Sequence, residues 1–155
     1  MASPTDRRQV ALMVDYLFGK GVSRALPKSG YRLFRSRRSG RVKLIQLDGK
    51  LFATVKPNGA MALSMYGAQT LSRSPRFRDS CVQVTDEAAQ FVRGGKSVFC
   101  KFVTWSGKSI YPKGEVAVVD RNWKVLGVGM AVLNGAHMEQ FKSGTAVKVR
   151  AGTTT

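Results

Sequence analysis

The stretch CVQVTDEAAQFVRGGKSVFCKFV, residues 81–103, changes its periodicity twice. Cys81 to Val84 is a short, β-branched apolar run that predicts a strand. Thr85 follows as a helix N-cap, because its hydroxyl accepts from the first free N–H groups, and Asp86 and Glu87 then face the positive end of the helix dipole. Ala88, Ala89, Phe91 and Val92 form one apolar face, and Gly94-Gly95 stops the helix, since glycine takes the left-handed conformation without a Cβ clash. Ser97 to Thr104 resumes as strand. The unit leaves a glycine turn between Arg93 and Lys96.

Toward the C-terminus, Val116 to Val119 and Lys124 to Val132 predict a hairpin around Asp120-Arg121-Asn122, then a short helix at Ala136 to Phe141 and a closing strand, Thr145 to Arg150. Gly127-Val128-Gly129 falls inside the second hairpin strand and predicts close backbone packing or a bulge. Toward the N-terminus, Val42 to Leu47 and Leu51 to Val55 flank Asp48-Gly49, the dipeptide that supplies positive φ for a tight hairpin. Met61 to Leu63 reads as a strand entering a small helix over Ser64 to Leu71. Residues 7–17 place Val10, Leu12, Met13, Val14 and Leu17 near helical spacing, with Thr5 or Asp6 as N-cap and Gly19 as stop. Ser72-Arg73-Ser74-Pro75-Arg76 is a polar connector, and a boundary there divides the chain into 1–78 and 79–155. The predicted class is α+β, with a small N-terminal α+β domain before a mixed β barrel carrying two short helices, and not a doubly wound sheet.

The 155 residues carry 26 Lys+Arg against 9 Asp+Glu, a net charge of +17. Hydrophobic residues at 43% and charged residues at 23% match a folded domain, not a disordered basic tail. A charge of this size predicts attraction to polyanions, either nucleic acid or an anionic membrane. No apolar stretch approaches the ~18 residues of a spanning helix. Asp6, Arg7, Arg8 and Gln9 occupy the place of a secretory apolar region, so a cytoplasmic protein without membrane association is expected. Cys81 and Cys100 fit reduced, buried thiols, with a single bridge as the alternative.

Residues 1–78 hold 11 Arg and 5 Lys against 3 Asp, while 79–155 hold 3 Arg and 7 Lys against 6 acids, or +13 and +4. The arginines are densest from Arg24 to Lys43, where Arg35, Arg37, Arg38 and Arg41 stand without an acid. The planar guanidinium suits phosphate oxygens and stacks on bases, so these four are candidate nucleic-acid contacts.

Catalytic signatures fail in turn. His137 is the one histidine, and there is no Cys-x-x-Cys, so a zinc site lacks ligands and no metal or cofactor is expected. No Gly-x-Ser-x-Gly elbow is present. Gly95-Lys96-Ser97 and Gly107-Lys108-Ser109 are not phosphate loops, because Gln90 and Phe102 stand where the leading glycine belongs. No catalytic residue is assigned, and an enzyme is not expected.

The run from Val84 to Gly152 resembles a PUA domain, the RNA-binding module named for pseudouridine synthases and archaeosine transglycosylases. The likeness rests on the Thr85-Asp86-Glu87-Ala88-Ala89 helix start, the Gly94-Gly95-Lys96 loop, Lys101-Phe102-Val103, Pro112-x-Gly114-Glu115-Val116, Gly127-x-Gly129 and Gly144-x-Ala146-Val147-x-Val149-Arg150. Residues 14–71 resemble the domain preceding the PUA module in archaeal tRNA-guanine transglycosylases and archaeosine synthases, through Asp15-Tyr16-x-Phe18-Gly19-Lys20-Gly21, Arg37 to Arg41, Leu47-Asp48-Gly49, Ala53-Thr54 and Gly67-Ala68-x-x-Leu71.

The resemblance implies a pseudo-barrel gripping RNA through Arg93, Gly94, Gly95, Lys96 and Ser97, with Lys101 and the closing-strand residues Lys148 and Arg150. Backbone N–H groups of the glycine turn would approach a phosphate and Arg150 would fork to another. One departure stands out: Tyr111-Pro112-Lys113-Gly114-Glu115-Val116 replaces an Arg-Pro-Gly-Asp-Glu-Val-like stretch. The base-exchange carboxylates of the transglycosylases belong to a large domain that these residues do not contain. The expectation is a stand-alone binder of tRNA or structured RNA; the alternatives are the substrate-binding subunit of a split enzyme with a trans-acting catalytic partner, and a ribosome-associated factor.

Overall fold

The computed structural model describes residues 4–154. Helix α1 (Pro4–Phe18) turns Val10, Val14 and Phe18 into the interior at the i, i+4, i+8 spacing of one helix face. It starts earlier than the sequence suggests, so Thr5 and Asp6 lie inside the first turn and do not cap it. Leu12, expected on the apolar face, is exposed. The Asp15 carboxylate accepts from the Ser23 N–H at 2.8 Å and its hydroxyl at 3.0 Å, tying α1 to the one-turn helix Val22–Ala25.

Four antiparallel strands follow in order: β1 (Tyr31–Arg35), β2 (Val42–Leu47), β3 (Lys50–Val55) and β4 (Met61–Leu63). The β2–β3 hairpin turns at Asp48 and Gly49, both at positive φ (52° and 77°), as the Asp-Gly dipeptide requires. β1 was hidden in the sequence within the arginine cluster. It is an edge strand, with only Tyr31 buried and Arg32, Phe34 and Arg35 facing out, the charged profile that protects an edge from further pairing. Helix α2 (Met65–Leu71) is capped by the Ser64 hydroxyl, which accepts from the Gly67 N–H at 2.9 Å.

The short 3-10 helix Pro75–Ser80 leads into the second half: β5 (Cys81–Val84), α3 (Asp86–Arg93), β6 (Val98–Phe99), β7 (Val103–Ser106), β8 (Glu115–Val119), β9 (Val125–Ala131), α4 (Gly135–Gln140) and β10 (Thr145–Gly152). These strands form one six-stranded sheet in the order β6-β10-β9-β8-β5-β7, antiparallel except for β5 with β8, and the sheet curls into a nearly closed barrel. The continuous strand expected from Ser97 to Thr104 is broken: a helical turn, Cys100–Phe102, separates β6 from β7. The break sends the two short strands to opposite ends of the sheet order.

Two hydrophobic cores result, and β8 faces both. Val116 and Val118 enter the barrel core with Leu126, Met138 and Val147, while Ala117 and Val119 join the N-terminal core of Val10, Phe18, Phe52 and Phe77. Burial on both faces accounts for the unbroken apolar run in β8, where a one-sided strand would alternate. Both cysteines are buried and free, and burial pushes both thiols up. No helix among the described residues is long and apolar enough to cross a membrane.

The close packing expected at Gly127 and Gly129 is present. A Cβ on Gly129 would lie 2.1 Å from the Lys148 carbonyl oxygen of the neighbouring strand, whereas one on Gly94 meets nothing closer than 3.6 Å. Gly129→Ala is expected to destabilise the chain by about 3 kcal/mol in urea unfolding, and Gly94→Ala to stay within ~0.5 kcal/mol of wild type. Equal stabilities for the two variants would refute the packing argument.

Candidate nucleic-acid interface

Helix α3 begins as its sequence dictates, with the Thr85 hydroxyl accepting from the Ala88 N–H at 3.3 Å and Asp86 and Glu87 in the first turn. It ends in a glycine turn whose donors are already engaged. The N–H groups of Gly94, Gly95 and Lys96 donate to the carbonyls of Gln90 (3.3 Å), Val92 (2.9 Å) and Phe91 (2.9 Å), and Gly95 takes φ 88°. This is a helix cap of the Schellman type, so the expected phosphate cradle of free backbone N–H groups is not formed. The turn instead positions side chains.

Pairing of β6 with β10 sets Val98 opposite Val147, and the Ser97 hydroxyl accepts from the Val149 N–H at 3.3 Å. Lys96 and Ser97 are thereby held beside the strand that carries Lys148, and Thr154 closes the group by donating twice to the Arg93 carbonyl. The charged ends of Arg93, Lys96 and Lys148 have no partner among the described residues. Phe91, before the turn, and Phe99, after it, are both exposed. Lys101, on the helical turn between β6 and β7, lies over the Phe102 ring at 4.9 Å.

Arg150 has a different environment from the one its sequence position suggests. The β9–β10 register runs Val149 to Gly129 and then Ala151 to Val128, leaving Arg150 as the extra residue of a bulge. A bulge re-aims a side chain, and this one turns to Glu115: Nη1 donates to Oε1 at 3.1 Å and Nη2 donates to Oε2. Nη2 also donates to the Leu63 carbonyl at 2.7 Å, while Glu115 Oε2 accepts from the Leu63 N–H at 2.6 Å. The guanidinium fork is thus occupied in a clasp joining β10, β8 and β4. The Glu115 side chain is only 7% exposed. Burial raises its pKa above the usual carboxylate range, against the opposing pull of Arg150, the Leu63 N–H and Lys56.

The arginine cluster divides similarly. Arg35 donates to Gln9 Oε1 at 2.8 Å and to the Gly40 carbonyl at 3.2 Å, with Asp6 at 3.9 Å. Arg41 donates to the Val55 and Val42 carbonyls at 3.2 and 3.4 Å. Arg37 and Arg38 remain exposed at the tip of the β1–β2 turn, which the Ser36 hydroxyl braces by accepting from the Arg38 and Ser39 N–H groups. His137 is exposed on α4 and stacks on Phe141 with centroids 5.6 Å apart. Among the described residues no three His, Cys, Asp or Glu side chains gather as metal ligands. The Glu115–Arg150–Leu63 clasp was not foreseen, because its partners lie far apart in sequence and the bulge that aims Arg150 leaves no mark in the residue pattern.

Residues 81–153 match the PUA domain, and residues 8–76 match the patch-forming domain C2 of tRNA-guanine transglycosylase. The chain thus carries a PUA domain over its second half, with a transglycosylase-type C2 domain ahead of it. Its sequence is 37% identical over 147 residues to the tRNA-guanine(15) transglycosylase of Thermococcus onnurineus, covering 94% of this chain and 25% of that enzyme. Against the enzyme of Pyrococcus abyssi the identity is 36% over 146 residues, covering 94% and 24%. The chain therefore spans about a quarter of the length of these curated relatives, and the matched quarter is their C-terminal, PUA-containing region. Similar solved folds include a hypothetical protein of Pyrococcus horikoshii (TM-score 0.73, 20% identity, 97% of this chain and 92% of that one). A conserved PUA domain protein of Thermoplasma acidophilum is also similar (TM-score 0.69, 16% identity, 97% and 91%).

Arg150→Met would leave the Glu115 carboxylate buried without its counter-ion, a loss expected to cost about 2–3 kcal/mol at neutral pH. Removing the guanidinium also raises the folded-state pKa of Glu115 further, so the penalty falls on the charged form. It should therefore shrink as the pH drops toward ~4 and the carboxyl protonates. Urea unfolding of both proteins at the two pH values measures this, and a pH-independent difference would exclude Glu115 as the partner.

Proposed function

We propose that this chain binds tRNA, or a similarly structured RNA, through phosphate and shape contacts in connection with RNA modification. The observation that carries the reading is the 37% identity, across 94% of the chain, to the C-terminal region of archaeal tRNA-guanine(15) transglycosylases. The surface chemistry supports it. Arg93, Lys96 and Lys148 gather at the α3–β6 turn with no partner for their charged ends among the described residues, near the exposed rings of Phe91 and Phe99. Cations beside open aromatic faces suit a nucleic-acid strand, because phosphates meet the charge and unpaired bases stack on the rings. Arg37 and Arg38 extend the contact along a stem, with Arg35 and Arg41 shaping that turn and Lys101 lying farther along the barrel. Arg150, Gly94, Gly95 and Ser97 hold the site's shape.

A second reading follows from the same match: the chain supplies the substrate-gripping part of a transglycosylase-like catalyst whose carboxylates come from another polypeptide. Co-purification with a catalytic barrel protein distinguishes this from independent binding.

Titration of a tRNA transcript by fluorescence anisotropy over a salt series tests the RNA reading. Each neutralised phosphate contributes ~0.7–0.9 to the slope of log affinity against log salt. The pair Lys96→Gln and Lys148→Gln should reduce that slope by about 1.4–1.8, and Arg37→Gln with Arg38→Gln should reduce it similarly, all with unchanged thermal unfolding. A flat salt dependence, or equal affinity for duplex DNA, would sink the proposal.

A further inference from the structure

A second surface lies away from the α3–β6 turn. Between α1, the β3–β4 turn and the segment leading into β8 is a cleft of about 460 Å³, within the ~300–1,000 Å³ of small-ligand sites. Its walls include Tyr16, Lys56, Asn58, Tyr111, Lys113 and Glu115. Tyr16 is 89% exposed and Tyr111 52%, so neither ring serves either core. Lys56 and Lys113 are exposed and make no ion pair among the described residues. The one carboxylate in the cleft is already taken up by Arg150 and the Leu63 N–H. Asn58 Oδ1 accepts from the Ala60 N–H at 3.0 Å, which leaves its amide nitrogen free to donate. Open aromatic rings, unpaired ammonium groups and an amide donor together suit a base stacked on a ring with its phosphate neutralised.

The turn that carries Tyr111 and Lys113 points the same way. The Gly114 N–H donates to the Tyr111 carbonyl at 2.9 Å, closing a four-residue turn with Pro112 second and Lys113 third. Lys113 sits at φ 69°, where such a turn ordinarily requires glycine. Gly114 in turn lacks a Cβ that would lie 3.0 Å from the Tyr111 ring, which lets the ring fold back over the turn. Backbone strain retained at a lysine, beside a glycine that seats a tyrosine, is the pattern expected where a ligand is gripped. A smaller cleft of about 230 Å³, lined by Arg35 and Arg41, shares Met13, Lys56 and Gly59 with the larger one. The groove therefore runs from the arginine turn to the two tyrosines.

We propose that this cleft receives one unpaired nucleotide of the bound RNA, its base against Tyr111 and Tyr16 and its phosphate beside Lys56 and Lys113. The inference rests on the RNA-binding reading, and its test separates the two. Two RNA stem-loops with the same stem, one fully paired and one with a single bulged 2-aminopurine, are titrated with the full chain at fixed salt. The bulged RNA should bind about tenfold tighter, with its fluorescence quenched on binding. Tyr111→Ala should abolish the preference and the quenching, and Tyr111→Phe should keep both. Lys113→Gly relieves the positive-φ strain, so it should unfold no earlier than wild type yet bind the bulged RNA about threefold more weakly.

Equal affinity for two RNAs that both bind overturns the cleft proposal and leaves the RNA reading standing; failure of both to bind overturns both. Free adenosine monophosphate binding to wild type but not to Tyr111→Ala, without discrimination between the RNAs, assigns the cleft to a free nucleotide and overturns the proposal as stated.

Discussion

Two-sided burial of β8 governs the rest of the molecule. Val116 and Val118 belong to the barrel core, and Ala117 and Val119 to the core shared with α1 and the four-stranded sheet. Full burial of a valine is worth about 1.5–3 kcal/mol, so separating the two halves would uncover one face of this strand at a cost comparable to a sizeable part of a domain's stability. The halves therefore share a wall.

Fixing β8 in this way buries its first residue, and Glu115 creates the next constraint. A carboxylate that is 7% exposed needs a counter-charge, and the β10 bulge delivers Arg150 to it. The same guanidinium binds the Leu63 carbonyl, so the end of the N-terminal sheet is tied to the closing strand of the barrel. Lys148 lies two residues away on that strand, and the Ser97 bond to Val149 sits between them. The clasp and the α3–β6 turn therefore meet on the same strand, β10.

Features written in local residue pairs were legible in the sequence. Asp48-Gly49 announced its hairpin, Thr85 its cap, and Gly127-x-Gly129 the close approach of β10. Features that depend on distant partners were not. β1 was masked because an edge strand buries one residue, Tyr31, and fills the others with charge, leaving too little apolar alternation to read. Ser97 to Thr104 has strand composition throughout, yet the barrel turns a corner at Cys100–Phe102 that only closure of the sheet demands. The glycine turn was recognised, but its N–H groups were expected to remain open. Which donors a cap consumes depends on where the chain goes next, and here Lys96 turns back to Phe91.

The distribution of the net charge of +17 follows from these geometries. With 9 acids against 26 Lys and Arg, most cations have no counter-ion to find, and the fold places many of those residues where water screens them. Several arginines nonetheless spend their donors on carbonyls within the chain: Arg7 on Pro27, Arg76 on Lys20, Arg41 on Val55. Such arginines keep their charge while losing much of their freedom to fork around a phosphate, so they contribute to the field but little to recognition. Beyond a Debye length of about 8 Å at physiological salt that field is largely screened. Exposed cations with no hydrogen bond or ion pair among the described residues stand at the α3–β6 turn, at the tip of the β1–β2 turn and at the mouth of the cleft, and others, such as Arg24 and Arg73, stand elsewhere on the surface. The bonded arginines thus add to the net charge without adding a guanidinium free to fork around a phosphate.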